Sequence, residues 1–202
     1  PHLKKGGHRP PFFHSALSKT AFVPLFKVLD KTHSQGHGRR NRPLYLRRAM
    51  TQLDSMEARP AVLMLEDGTR FKGKAIGAVG TTTGEVAFNT GMYGYQEIFT
   101  DPSYKGQVLV MATAHIGNYG VHADENESGQ TQIAGLVVRN FSEVASRIGE
   151  VEPLADRLER DGIVGIADID TRGLIQHIRD CGAMNALISS DGASDVDLLA
   201  RL

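Results

Sequence analysis

Few residues of this 202-residue chain carry side chains that could do chemistry, and most stand alone. Cys181 is the one thiol. It falls at the end of a helical pattern, in register with Leu174 and Ile178, whereas a reactive thiol of the elbow type sits on a tight strand-to-helix turn between small residues. The position predicts a buried, structural cysteine. Asp168 and Asp170 would face one side if both belonged to the strand, and paired carboxylates can hold a divalent cation, but capping the next helix is the simpler use of Asp170 or Thr171. Gly68 to Ala75, G-T-R-F-K-G-K-A, nearly matches the phosphate-binding G-x-x-x-x-G-K-[ST]. It fails twice: Ala75 has no hydroxyl for Mg²⁺, and the segment reads as a hairpin arm with no helix N-terminus to receive phosphate. His115, followed by Gly117, Asn118 and Gly120, has no assignable titratable partner and reads as an ordered loop or an interface. Arg172, His177 and Arg179 read as the solvated or subunit-facing side of their helix. These patterns predict no catalytic residue and no metal site.

Ser103 is the strongest candidate for ligand contact, and the run from Gly84 to Tyr104, G-E-V-A-F-N-T-G-M-Y-G-Y-Q-E-I-F-T-D-P-S-Y, must position it. Glu85, Ala87 and Asn89 alternate with Val86, Phe88 and Thr90, the period of a half-buried strand. Gly91 and Gly94 permit a tight turn, Tyr95 to Thr100 suits a short helix, and Asp101-Pro102 stops it, because Pro102 lacks an N–H and biases its predecessor away from helical geometry. Ser103 and Tyr104 are left at a chain reversal, where side chains are presented for function. A turn hydroxyl bonding its own backbone is the competing reading of Ser103.

The remaining elements form a scaffold. Ala61 to Leu65 and Thr69 to Ile76 flank Asp67-Gly68, a strong hairpin signal. Val108 to Thr113 and Ile133 to Val138 are nearly continuous apolar runs, which predicts strands buried on both faces. Pro153 to Arg160 has Leu154 and Leu158 at helical spacing, Ile163 to Ile169 is a buried strand, a helix runs from Asp170 or Thr171 through Arg179 to a stop at Gly182, and Ala186 to Ser189 returns as a strand. Ser194 opens an S-x-x-D helix start, and the pattern predicts that the chain ends inside that helix. Strands first and helix-strand alternation later predict a mixed α and β fold with two sheets.

Zero net charge hides two unlike segments. Residues 1–49 hold 11 of the 23 basic side chains and one of the 23 acidic ones, Asp30. With no sustained apolar period, this stretch reads as a disordered basic N-terminal segment. Three accounts of it are open: a presequence, which should start with Met rather than Pro1; a nucleic-acid tail built on Gly38 to Arg42; or sequence upstream of a natural start at Met50 or Met56. A single cysteine fits a reducing compartment and, with no apolar run long enough for a bilayer, predicts a cytoplasmic protein without membrane or nucleic-acid partners. The sequons at Asn126 and Asn140 lack a secretory signal and read as accidental.

The Gly84 to Tyr104 run, followed by K-G-Q-V-L-V-M and H-I-G-N-Y-G-V at His115 to Val121, resembles the N-terminal domain of the small, glutamine-hydrolysing subunit of carbamoyl-phosphate synthase. The resemblance extends from about Ala61 to Ser190 and includes L-E-D-G-T at Leu65 to Thr69, G-L-V-V-R at Gly135 to Arg139 and I-A-D-I-D-T-R at Ile166 to Arg172. The chain departs from it at Tyr93, where a small hydroxyl residue is commoner, and at Ala112-Thr113-Ala114, where a tyrosine-proline step is commoner.

The resemblance implies a swivelling β/β/α domain over residues 56–192, preceded by the basic segment 1–55 and followed at 193–202 by the start of a helix leading to a glutaminase domain, with its Cys, His and Glu, that this chain lacks. It implies docking on a large subunit that uses ATP and Mg²⁺, with no cofactor in this chain. Ammonia from glutamine would pass to that subunit for carbamoyl phosphate, feeding arginine and pyrimidine synthesis, and this chain alone would be inactive. Ser103 matches the serine that contributes to the glutamine pocket. Tyr93, Tyr95, Tyr104, His115, Asn118 and Tyr119, on two glycine-rich loops, are the candidates for the subunit interface, since tyrosine offers contact area with a polar tip. The alternatives are a non-catalytic, stand-alone interaction module of the same fold and, more remotely, a basic-tailed nucleic-acid binder.

A segment with so little apolar periodicity should add nothing to a core. Deleting residues 1–49 is therefore expected to leave the thermal midpoint nearly unchanged by calorimetry; a drop of several degrees would reveal an ordered element in them.

Overall fold

The Asp67-Gly68 turn does join two strands. In the computed structural model, which describes residues 59–147 and 151–202, β1 (Pro60–Leu65) and β2 (Arg70–Gly77) pair antiparallel with Leu63 opposite Phe71. The basic segment 1–55, with Met50, and also Met56 lie outside the described residues. The chain continues through β3 (Thr81–Asn89), α1 (Tyr95–Thr100), β4 (Val108–Met111), β5 (His115–Ile116), β6 (Gly135–Val137) and β7 (Asn140–Phe141). It then adds α2 (Leu154–Arg160), β8 (Val164–Ala167), α3 (Thr171–Cys181), β9 (Asn185–Ser189) and α4 (Asp195–Leu199). Mixed α and β with two sheets is the observed class.

Seven strands close a barrel in the order β1-β2-β8-β6-β4-β3-β9, and β5 pairs with β7 in a small second sheet. Strands β3, β4, β6 and β8 are mutually parallel neighbours; the other four barrel pairings are antiparallel. Closure removes free edges. It also means that each strand has an inward and an outward face, and alternate residues serve two different cores. Leu63, Leu65, Val108, Val110, Val137, Ile166 and Ile188 belong to one core with Leu174 and Ile178 of α3. Leu109, Met111, Leu136, Val138 and Ala167 belong to the other, with Phe99 of α1 and Leu154 and Leu158 of α2. That is why β4 and β6 read as unbroken apolar runs.

Several boundaries differ from the sequence expectation for physical reasons. Strand β3 begins at Thr81, well before the alternating run at Glu85 to Thr90, because the polar Thr81 to Glu85 pair with Ser189 to Asn185 of β9 and need no apolar pattern to do so. The 2-residue strands β5 and β7 are too short to leave a periodic signal. Helix α4 is capped by Ser194, whose hydroxyl accepts from the Asp197 N–H, but it closes at Ala200 rather than running to the end of the chain.

Two side-chain expectations are corrected. Asp168 and Asp170 do not share a strand: β8 stops at Ala167, Asp168 turns to φ 65° and pairs with Lys74 at 2.7 Å, while Asp170 caps α3 by accepting from the Gly173 N–H and lies 3.7 Å from Arg139. Each carboxylate thus has its own cation and its own job. Cys181 is exposed, not buried. Leu174 and Ile178 end the buried stripe, and the last turn of α3 overhangs the core edge before Gly182 releases the chain. Gly68 to Ala75 is the expected hairpin arm, with no helix beginning there. Among the described residues no helix is long and apolar enough to cross a membrane.

The barrel is tight enough to forbid a methyl group at Gly73. A Cβ there would stand 2.2 Å from the Ala167 carbonyl oxygen and 2.9 Å from side-chain atoms of Ile166 and Ile169. Overpacking of this kind costs about 1–3 kcal/mol. Gly73→Ala is expected to lower the urea midpoint accordingly without changing the slope of the transition; an unchanged midpoint would mean that β2 and β8 can separate freely.

Candidate functional site

Strand β3 ends at Asn89, and its side chain organises the loop beyond it. Its Oδ1 accepts from the Gly91 N–H at 2.6 Å and its Nδ2 donates to the Tyr104 hydroxyl at 2.9 Å, so one residue ties the start of the loop to its end. Gly94 then adopts φ 78°, a left-handed turn that glycine takes without strain. Helix α1 starts there with no side-chain cap of its own. The Tyr119 hydroxyl supplies it from the second loop, accepting from the N–H groups of Gly94 (3.0 Å) and Tyr95 (3.2 Å). These are donors that a helix start otherwise leaves unsatisfied.

Tyr95 returns the contact. Its hydroxyl donates to the Gly120 carbonyl at 2.6 Å, and its ring stacks on Tyr119 with centroids 4.2 Å apart. Burial pushes the Tyr95 phenol well up, with the neighbouring Tyr119 adding to it, and burial likewise pushes Tyr119 up. Both hydroxyls therefore stay neutral donors and acceptors at ordinary pH. Gln96, fully buried, joins α1 to the following segment: its Nε2 donates to the Asn126 Oδ1 at 2.8 Å and its Oε1 accepts from the His122 N–H at 2.8 Å. Thr100, also fully buried, accepts from the Glu127 N–H at 3.0 Å. Neither residue was singled out in the sequence, where buried polar positions look like any other polar position.

The two loops meet around a cavity of about 220 Å³. Tyr93, Tyr95, His115, Asn118 and Tyr119 all line it, so five of the seven sequence-derived site residues come together. So do Thr113 and Ala114, so residues from both departures from the resemblance, Tyr93 and the 112–114 step, line the same cavity. Met92 and Tyr93 stand 76% and 84% exposed at its edge, an apolar pair of which only Tyr93 was anticipated. His115 and Asn118 are exposed, Tyr119 half-buried.

Tyr95, at 2% exposure, offers almost no surface to a partner; as an interface candidate it is corrected to an internal strut. Tyr104 packs against the outer core and holds Asn89. Ser103 is outside the cavity. It sits exposed on a single 3-10 turn, Pro102–Tyr104, where its N–H donates to Asp101 Oδ1 at 2.8 Å, and that bond holds the Asp101 carboxyl below its usual range. One acceptor is conspicuous: Glu97 Oε2 is buried with no hydrogen-bond partner among the described residues.

The site sits within a stretch that comparison places in a known family. The profile described as "Carbamoyl-phosphate synthase small chain, CPSase domain" matches residues 63–188. This chain belongs to the carbamoyl-phosphate synthase small-chain family. It is 47% identical over 147 residues to the carbamoyl phosphate synthase small chain of Rhodopirellula baltica, covering 73% of this chain and 38% of that one. With the small chain of Salmonella typhimurium it shares 49% identity over 138 residues, 68% of this chain and 36% of that one. The chain thus spans less than two-fifths of the length of these relatives.

The Tyr119 hydroxyl is the joint on which the two loops depend. Tyr119→Phe keeps the stacked ring and removes the acceptor for two backbone donors, so stability should fall by about 1–3 kcal/mol. Urea denaturation measures this directly, and an unaltered midpoint would show that the start of α1 does not rely on it.

Proposed function

We propose that this chain forms the N-terminal part of a glutamine-dependent carbamoyl-phosphate synthase small subunit and docks on the large subunit through the cavity face of its two loops. The family membership supports the subunit role. The observation that carries the docking face is the exposed Met92–Tyr93 pair on a loop whose backbone is held by Asn89 and Tyr119. Exposed apolar and aromatic side chains on a pre-ordered frame suit an interface, since little entropy remains to be lost on binding. In this reading the domain is of the swivelling β/β/α type and works in the cytoplasm.

The chemistry would be divided. Ser103, on its exposed turn, would complete one wall of a glutamine pocket whose remainder lies on a glutaminase domain outside these 202 residues. Ammonia released there would pass to the large subunit, which uses ATP and Mg²⁺ to make carbamoyl phosphate for arginine and pyrimidine synthesis; this chain would need no cofactor of its own. Its single thiol, exposed on the last turn of α3, lacks the strand-to-helix elbow of a nucleophile, so the chain alone would hydrolyse no glutamine.

Calorimetric titration against the large subunit tests the docking. Tyr93→Ala and Met92→Ser should each weaken binding about tenfold, a loss of about 1.4 kcal/mol, while Ser103→Ala leaves it intact and, in a full-length small subunit, raises the glutamine concentration needed. Unchanged affinity for both loop variants would place the interface elsewhere.

A further inference from the structure

The overhanging end of α3 creates a second cluster, away from the loops. His177 and Cys181 are one turn apart, and residues at i and i+4 share a helix face. That face lies over the β1–β2 turn. His177 Nε2 is 2.5 Å from Asp67 Oδ2 and 3.8 Å from Cys181 Sγ, and the three ligand atoms all lie within 4.8 Å of one another. Thr69 Oγ1 approaches the same nitrogen at 3.4 Å.

Two uses of such a trio can be separated by geometry. A nucleophilic relay needs the thiol and the carboxylate on opposite ring nitrogens, so that a proton passes through the imidazole. Here both address Nε2, which excludes a relay. Convergence of S, N and O donors on one point is instead what a coordinated cation requires. Typical Zn–N and Zn–S lengths of about 2.0 and 2.3 Å put tetrahedral N and S donors roughly 3.5 Å apart, close to the separation of Nε2 from Sγ. The Asp67 oxygen has only to swing outward by less than about 1 Å to match.

The supports are rigid where they need to be. The Thr69 N–H holds Asp67 Oδ1 at 2.8 Å, leaving Oδ2 to face His177. The turn is closed by the Gly68 N–H to Leu65 and the Leu65 N–H to Thr69, both at 2.9 Å, while α3 is anchored by its Asp170 cap and by Leu174 and Ile178 in the core. A ligating carboxylate whose second oxygen is held by a backbone donor is the usual outer-shell arrangement of metal sites.

We propose that Asp67, His177 and Cys181 form a divalent transition-metal site, with Zn²⁺ as the ion and water as its fourth ligand. The mixed thiolate, imidazole and carboxylate set is of borderline softness, which suits Zn²⁺ over Mg²⁺ or Ca²⁺. Bound there, the ion clamps the first hairpin to α3.

Cobalt titration of the intact 202-residue chain reads this out, because a thiolate-to-cobalt absorption band in the near ultraviolet can arise only from Cys181, the single cysteine; the five histidines of residues 1–49 cannot produce it. The expected result is a saturable band at one Co²⁺ per chain, displaced by Zn²⁺, absent in Cys181→Ser, and needing at least about tenfold more Co²⁺ in both His177→Gln and Asp67→Asn. All three positions are at the surface, and unchanged circular dichroism verifies that the variants fold. No band at a tenfold excess of Co²⁺ overturns the proposal. So does a band that either His177→Gln or Asp67→Asn leaves unweakened, or one saturating at half an equivalent, which would mean a thiol shared between two chains.

Discussion

Strands β4 and β6 have no face to give to water, and much else depends on that. Inward, Val108, Val110 and Val137 meet α3; outward, Leu109, Met111, Leu136 and Val138 must be covered by something. Burying a side chain of this size fully is worth about 1.5–3 kcal/mol, so an uncovered outer face would forfeit a large part of the stability of a small domain. Helices α1 and α2, with Ile116, Val121 and Ile133, provide the cover. The loops of the candidate site are thus the rims of a core, and their position is set by burial before any function is considered.

Cover alone does not order a loop. Around α1 polar side chains add to the apolar packing and fix the loops: Asn89 across the first loop, Tyr119 at the helix start, Gln96 and Thr100 toward residues 122–127. In a low-dielectric setting such bonds are strong when complete and costly when broken. Glu97 Oε2, buried without a partner among the described residues, runs against this economy.

Features set by neighbours in the chain leave a local trace in the sequence. The hairpin at Asp67-Gly68, the two-faced burial of β4 and β6, the stop at Pro102 and the Asp170 cap are of this kind, and each was legible. Barrel closure was not, because the pairing of β9 with both β1 and β3 leaves no mark in either partner's pattern. The site divided in the same way. Tyr93, Tyr95, His115, Asn118 and Tyr119 could be named as candidates, since glycine-rich loops with aromatics stand out. That Tyr95 would be a buried strut and Tyr93 an exposed side chain could not, because residue type is the same and only the burial differs.

Helix α3 illustrates how a correct local inference can mislead at its edge. The stripe Thr171, Leu174 and Ile178 is buried as its period demands, and extending the period by one step reaches Cys181. The period describes the helix, whereas burial depends on how far the core extends beneath it. Here the core ends first. The final turn is left over the β1–β2 turn, where His177 meets Asp67, 110 residues away in sequence, with Cys181 beside it. A thiol that the pattern assigned to packing becomes available for chemistry because the helix is one turn longer than the core it covers.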